Sequence, residues 1–291
     1  MLWILLGVLC SAWLVASFKL FERFGMTAFQ CILVNYIVCV LTAWATSGSF
    51  PIPAYFWRET WFPYTLGIGL TFILTFNLVA LTVQRVSIAM GGLMQKMSLV
   101  FAVIFIVLYY QEPLTPFKIA GISLAIVAIF LTNYSPKIAN TPKNRPKNSL
   151  TWALPLATLL GSGLVDIGIV YAGRTLSGGE VSPTIIAAIF SCAGFWGLLW
   201  LIYSLITGQQ KLSWRSILGG IALGIPNYGS IYFMYKAMET LPSTVVFSVN
   251  NLGVILATTL VGVLFFSERP NRINLIGIAT TLIAIYLLST N

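Results

Sequence analysis

The sequence predicts an all-α membrane protein: ten transmembrane helices forming two inverted five-helix repeats around a central cavity. Three observations carry this. Of 291 residues, 58 % are hydrophobic and only 8 % charged, and the mean hydropathy is +0.91. The apolar residues fall into ten runs, each about 17–25 residues long, the length a helix needs to cross ~30 Å of hydrocarbon. Two segments 156 residues apart repeat the same spacing of Glu and Gly. Soluble domains carry about 25 % charged residues, so this chain cannot clothe a water-exposed surface. Disorder is excluded too, because it needs low hydrophobicity and high charge.

The spans are expected at 2–18, 28–47, 62–83, 86–109, 116–133, 151–172, 183–206, 216–236, 243–266 and 272–289. The first begins at Met1 without a basic n-region, and nine more follow, so it reads as a retained helix rather than a cleaved signal. The third and fourth meet at Gln84–Val86 with almost no loop. After the fifth comes the longest polar stretch, Thr132–Ser149, with Lys137, Lys143, Arg145 and Lys147 and three prolines, Pro136, Pro142 and Pro146. It cannot bury a core and reads as a linker. This gives a first repeat over 1–134, a basic, Pro-containing linker over 135–149 and a second repeat over 150–291. Runs without strand-like alternation argue against an outer-membrane barrel.

The repeat shows in YYQEPLTPFKIAGISLAIVAIFL and FFSERPNRINLIGIATTLIAIYLL, where Glu112 matches Glu268 and Gly121 matches Gly277. Five is odd, so two such units in series lie upside down relative to each other, the plan of many secondary transporters. A duplication that merely enlarged a membrane body would have little use for polar residues at mid-depth.

The balance of 16 Lys plus Arg against 7 Asp plus Glu gives +9. The basic residues lie between apolar runs, as in cytoplasmic loops, rather than in a nucleic-acid patch. Arg58, Lys118, Arg174 and Lys236 fall on the face of the N-terminus. Lys19, Arg23, Arg85, Lys137, Lys143, Arg145, Lys147, Lys211, Arg215, Arg269 and Arg272 fall on the other. The positive-inside rule then puts both termini outside a plasma membrane, the inner membrane in a Gram-negative cell. Cys10, Cys31, Cys39 and Cys192 sit in apolar runs with no C-x-x-C pair and read as small buried hydrophobes.

Lys96, in GGLMQKMSLVFAVIF, is the sharpest signal: an ammonium near the middle of the fourth span needs a partner, water or substrate. It points to an anion or carboxylate contact, the alternative being a structural ion pair. Gln95 is adjacent and faces elsewhere. Asp166, the only Asp, lies mid-way along the sixth span; it either pairs with Lys96 or carries a proton in a coupled cycle. Asn250 and Asn251 fall, on the 156-residue shift, opposite Met94 and Gln95. They either contact substrate or bond helix to helix. Asn35, Asn77 and Asn227 are similar candidates. Asn227 follows Pro226, which frees a backbone carbonyl for the cavity; Tyr228 and Tyr232 line the same face. Trp13 either walls the cavity or packs. Met90, Met94 and Met97 form a helical stripe that packs by default. Trp3, Trp57, Trp61, Trp152 and Trp214 suit interfacial belts. Glu112 and Glu268, at corresponding span ends with Pro neighbours, read as structural.

There is no His, no G-x-x-x-x-G-K-[ST], no H-E-x-x-H and no G-x-S-x-G. No ATP motor, metal site, catalytic set or cofactor is expected, and energy comes from a proton or substrate gradient. The expected partners are the bilayer and a small-molecule substrate, without nucleic acid, in a monomer or weak homodimer. The expected function is secondary transport of a small polar or zwitterionic metabolite, such as an amino acid. The alternatives are a non-transporting scaffold or interaction protein, or a membrane-embedded enzyme.

On the two closing segments quoted above, and on NLVALTVQRVSIAMGGL and FMYKAMETLPSTVVFSV before them, the whole chain resembles the EamA-like group of the drug/metabolite transporter superfamily. The shared pattern is an apolar helix, then Glu, a short polar turn, and a helix opening with Gly. The resemblance implies gradient-linked movement of small molecules, often export of amino acids, through a cavity between two bundles. It also implies cytoplasmic termini, opposite to the charge count. Two departures stand out: GSFPIPAYFWRET holds fewer basic residues than the family's counterpart, and MQKMS replaces the usual small or Pro residues at the centre of the fourth span. Lys96 therefore implies a substrate unlike those of members with a neutral cavity.

Overall fold

The computed structural model describes residues 1–85, 94–132, 150–179, 182–266 and 271–289. Among these residues all regular structure is helical, with no strand. Ten α-helices follow in order: α1 (Leu2–Arg23), α2 (Ala28–Ser47), α3 (Phe62–Arg85), α4 (Leu99–Tyr110) and α5 (Pro116–Thr132), then α6 (Leu150–Tyr171), α7 (Pro183–Ile206), α8 (Trp214–Met238), α9 (Ser243–Phe266) and α10 (Arg272–Ser289). A helical turn at 94–97 precedes α4, with Ser98 between them. Six helices are long and apolar enough to cross a bilayer, and four more are apolar but shorter. Large apolar side chains cover the outside, Leu108 at 73 % and Ile206 at 81 % exposure among them. No water-soluble monomer tolerates so much exposed apolar surface; this is a multi-pass membrane protein.

The helices gather into two compact units, and each unit takes helices from both halves of the chain. The first comprises Met1–Leu74 and Gly168–Leu241, the second Thr75–Ile167 and Pro242–Asn291.

In the first unit α8 is the central helix. Glycines bring it close to α2: a Cβ on Gly220 would lie 2.6 Å from the Cys31 carbonyl oxygen, and Gly224 meets Val38. Gly220 and Gly224 are four apart, the small-xxx-small spacing that lets apolar helices touch backbone to backbone. On its other side α8 packs against α1, where Trp3 stacks on Phe233 with ring centroids 5.9 Å apart. Pro226 sits inside α8 without breaking it. It lacks the N–H that would bond to Ala222, four residues back. Trp13 fills that gap: its indole N–H donates to the Ala222 carbonyl at 3.1 Å. The carbonyl expected to open towards a cavity is therefore already occupied, and Trp13 closes the helix. On α7, Ser182 accepts from the Ile185 N–H at 3.3 Å, an N-cap followed by Pro183 at the first helical position.

In the second unit α5 and α10 run antiparallel. A Cβ on Gly121 would meet Leu288 Cγ at 2.7 Å, and one on Gly277 would meet the Thr132 backbone N at 2.6 Å. Asn274 Nδ2 donates to the carbonyls of Leu131 and Thr132, at 3.1 and 2.9 Å. The start of α9 is tied to the turn after α4. Gln111 is left-handed at φ 52°, the only non-Gly residue with positive φ among those described. The turn brings the Glu112 carboxylate to α9, where it accepts from Ser243 N–H at 3.2 Å, Thr244 N–H at 3.3 Å and the Thr244 hydroxyl. Buried Lys118 is 3.8 Å from the same carboxylate and donates to Pro113 O at 3.2 Å. Glu112 is thus a helix cap, satisfying donors that α9 leaves unpaired. Glu268 lies outside the described residues.

The two glycines give a graded test. Gly277→Ala drives a methyl into backbone and is expected to cost about 2–3 kcal/mol, whereas Gly121→Ala meets a side chain that can shift and costs less. Gly67→Ala, with nothing within 4 Å, is expected to be close to neutral. Melting temperatures of the three purified variants check this order; a parental value for Gly277→Ala contradicts it.

Candidate functional site

The second unit contains the polar centre. Lys96 lies on the turn 94–97, and its ammonium donates to Asn251 Oδ1 on α9 at 3.4 Å. Asn251 is aimed by its own helix, its Nδ2 donating to Phe247 O at 3.0 Å. Asp166, on α6, lies 2.5 Å through Oδ2 from the Ser98 hydroxyl, which also reaches Gln95 O at 2.6 Å. Among the described residues, Lys96 and Asp166 form no direct ion pair. Lys96 is held by Asn251 and Asp166 by Ser98, each through a neutral group. Lys96, Asp166, Gln95, Asn250 and Asn251 each keep part of their side-chain surface exposed.

Two buried hydroxyls adjoin this centre. Ser162 is one turn before Asp166 on α6, and Ser248 lies three residues before Asn251 on α9. They are 4 % and 0 % exposed, and neither has a hydrogen-bond partner among the described residues. A buried polar atom without a partner is costly, and residues three or four apart share a helix face. Glycine makes room for this region: a Cβ on Gly163 would lie 2.8 Å from the Phe101 ring, and one on Gly161 2.8 Å from Thr75 Oγ1. A Thr82–Thr158 hydroxyl bond of 2.7 Å ties α3 to α6 nearby. Asn77 is half-buried on α3.

The remaining candidates belong to the first unit. Asn35 and Asn227 are 1 % and 6 % exposed. Asn227 Nδ2 donates to Asn35 Oδ1 at 3.1 Å, Asn35 Nδ2 reaches Ile32 O at 3.3 Å, and the Cys39 thiol joins at 3.4 Å. Tyr228 stacks on Tyr232 at 5.7 Å, and its hydroxyl is 2.9 Å from Thr46 Oγ1. A polar cavity of about 620 Å³ opens beside Tyr232, at the ends of α2 and α8 and the start of α7. Ser98, which bonds Asp166 directly, and the buried hydroxyls of Ser162 and Ser248 were not among the expected residues. Their signal was weak, since serine in an apolar helix ordinarily bonds its own backbone, as Ser17 does to Trp13 O at 2.8 Å.

Comparison with known proteins gives a concordant result. A family model described as EamA-like transporter family matches residues 1–134 and 152–290. An uncharacterized protein of Haemophilus influenzae is 27 % identical over 291 residues, covering 98 % of this chain and 96 % of its own. A protein of known crystal structure superposes with a TM-score of 0.75 over 99 % of this chain and 95 % of that one, at 16 % identity, a likeness of fold.

Proposed function

The chain belongs to the EamA-like transporter family, and from that premise we propose that it is a secondary active transporter exporting a small polar or zwitterionic metabolite by alternating access. The family's members are transporters of the drug/metabolite superfamily. The observation that carries the reading is the polar centre: a cation and an anion in one unit of apolar helices, each held by a neutral group instead of by the other. Such charges are expensive in a membrane protein and mark substrate or ion sites. In this reading Lys96, with Asn251, receives a carboxylate, and Asn250 and Gln95 line other parts of the same cavity. Asp166 receives an ammonium or carries the coupling proton. Asn77 lines the approach, and Asn35 and Asn227 lock α2 to α8.

The inverted arrangement is part of the proposal. Adding 156 to Gly121 gives Gly277, and subtracting it from Leu288 gives Thr132. The close approach of Gly121 to Leu288 is therefore matched by that of Gly277 to Thr132. Reciprocal contacts of this kind between antiparallel helices are what a two-fold axis in the membrane plane produces. We place the protein in the cytoplasmic membrane with both termini outside, as the basic residues are distributed.

The test is transport by purified protein in liposomes, with a panel of labelled amino acids, under an imposed pH gradient and in exchange mode without one. Asp166→Asn is expected to abolish gradient-driven accumulation while retaining exchange. Undiminished accumulation rejects Asp166 as the coupling group, and no flux for any compound rejects transport in favour of a scaffold.

A further inference from the structure

In the second unit, oxygens converge at the turn before α4. The Ser98 hydroxyl has two acceptors within reach, Gln95 O at 2.6 Å and Asp166 Oδ2 at 2.5 Å. It has one hydrogen to donate. With Asp166 ionised, one of the two contacts therefore sets lone pair against lone pair, and a cation shared by these oxygens relieves it. A fourth oxygen stands close by on α6. Ser162 is one turn after Thr158 and one turn before Asp166. Thr158 bonds Thr82 of α3 at 2.7 Å, and Asp166 bonds Ser98 at the start of α4. Ser162 lies about 40° around the helix from each, so its hydroxyl points between α3 and the start of α4. That hydroxyl belongs to a residue 4 % exposed and has no hydrogen-bond partner among the described residues. It makes no bond to Asp166 itself, as two ligands on either side of one ion do not.

We propose that Asp166, Ser98, Ser162 and the Gln95 carbonyl bind a sodium ion. Hard cations take oxygen ligands, and the donors here are a carboxylate, two hydroxyls and a carbonyl. The charge selects a monovalent ion. A divalent ion would bring two charges to a single carboxylate, with the Lys96 ammonium two residues from Ser98, and no group of three His, Cys, Asp or Glu able to hold a metal occurs among the described residues. Gln95 O sits where the helix is interrupted: the turn 94–97 ends at Ser98 before α4 begins. Interrupted helices are where membrane carriers present backbone carbonyls to Na⁺. The inference deepens the transport reading, on which its meaning rests, by putting Na⁺ instead of a proton on the coupling carboxylate. Charge balance then links ion to substrate. A carboxylate at Lys96 and Na⁺ at Asp166 together leave the net charge of the centre unchanged, whereas either alone adds a unit charge to apolar surroundings. Each therefore favours binding of the other.

The experiment is thermal unfolding of the purified full-length protein in NaCl, KCl and choline chloride at equal ionic strength. Na⁺ is expected to raise the melting temperature saturably, as a ligand of the folded state does, while K⁺ and choline leave it where it was. Ser162→Ala is the sharpest variant. Its hydroxyl has no protein partner to lose, so in KCl it melts at or above the parental temperature. In NaCl its half-saturating Na⁺ concentration rises about ten-fold or more, and Ser162→Thr, which keeps the hydroxyl, stays near the parental value. Asp166→Asn abolishes the Na⁺ response. Ser204→Ala, a buried serine of the first unit bonded to Leu201 O at 2.9 Å, retains it. No response to Na⁺, an equal response to K⁺, or a Na⁺ response unaltered in both Ser162→Ala and Asp166→Asn overturns the site. Accumulation of an amino acid driven by a pH gradient in Na⁺-free buffer removes the sodium site and leaves the transport reading standing. Na⁺-specific stabilisation weakened by Ser162→Ala, with no flux of any compound, leaves the site and removes the transport reading.

Discussion

Lys96→Met is expected to lower kcat/KM for a carboxylate-bearing substrate by at least about ten-fold, while the purified protein melts close to the parental temperature. The first expectation follows from the charge. A hydrogen bond to a charged group contributes about 1.5–3 kcal/mol, and 1.4 kcal/mol is a factor of ten. The second follows from the geometry. Lys96 meets Asn251, a neutral amide, and Asp166 meets Ser98, so removing the ammonium orphans no directly paired carboxylate. Had the two charges been in direct contact, the variant would leave a buried anion alone and lose about 3–5 kcal/mol. Flux assays and melting curves on the same preparation separate the cases. Parental flux rejects Lys96 as a substrate contact, and a large fall in melting temperature makes it a structural cation.

Glu112→Ala is expected to be the most destabilising single change considered. The carboxylate accepts from two backbone N–H groups and a hydroxyl at the start of α9 and faces Lys118, whose side chain is 5 % exposed. Losing a cap costs about 1 kcal/mol, and leaving a buried cation without its partner about 3 kcal/mol more. The double variant Glu112→Ala with Lys118→Met removes the orphaned charge and is expected to recover most of the second loss. Thermal unfolding followed by size-exclusion fluorescence reads both. A single variant as stable as the parent, or a double variant no better than the single, contradicts the assignment. Because α9 carries Asn250 and Asn251, this cap also sets the position of part of the polar centre.

The helices were legible because hydrocarbon dictates them. The expected 28–47 and 183–206 coincide with α2 and α7, where a long apolar run ends abruptly in polar or turn residues. α1 runs to Arg23, five residues past the expected 18, because Phe18, Leu20 and Phe21 continue the apolar pattern around Lys19. Which helices pack together was less legible. α8 on α2 joins residues 185 and 192 apart, and α5 on α10 residues 142 and 143 apart, and only the glycines at 220, 224, 121 and 277 hint at the close faces. The charged members of the site were visible because charge is rare here: Lys96 and Asp166 stand out against 8 % charged residues. How they are held was not, since composition cannot distinguish a direct ion pair from two separate bonds to Asn251 and Ser98. Pro226 shows the same limit. The freed carbonyl was foreseeable, but its capture by Trp13, 209 residues away, depends on tertiary packing.

The most direct test of the whole account is counterflow. Liposomes containing the protein are loaded with an unlabelled amino acid, diluted into a trace of the same labelled compound, and sampled over minutes. Transient accumulation of label is expected for at least one zwitterion, abolished in Lys96→Met liposomes holding the same amount of folded protein. Accumulation undiminished by that substitution, or none for any amino acid tested, contradicts a carrier whose substrate is held at Lys96.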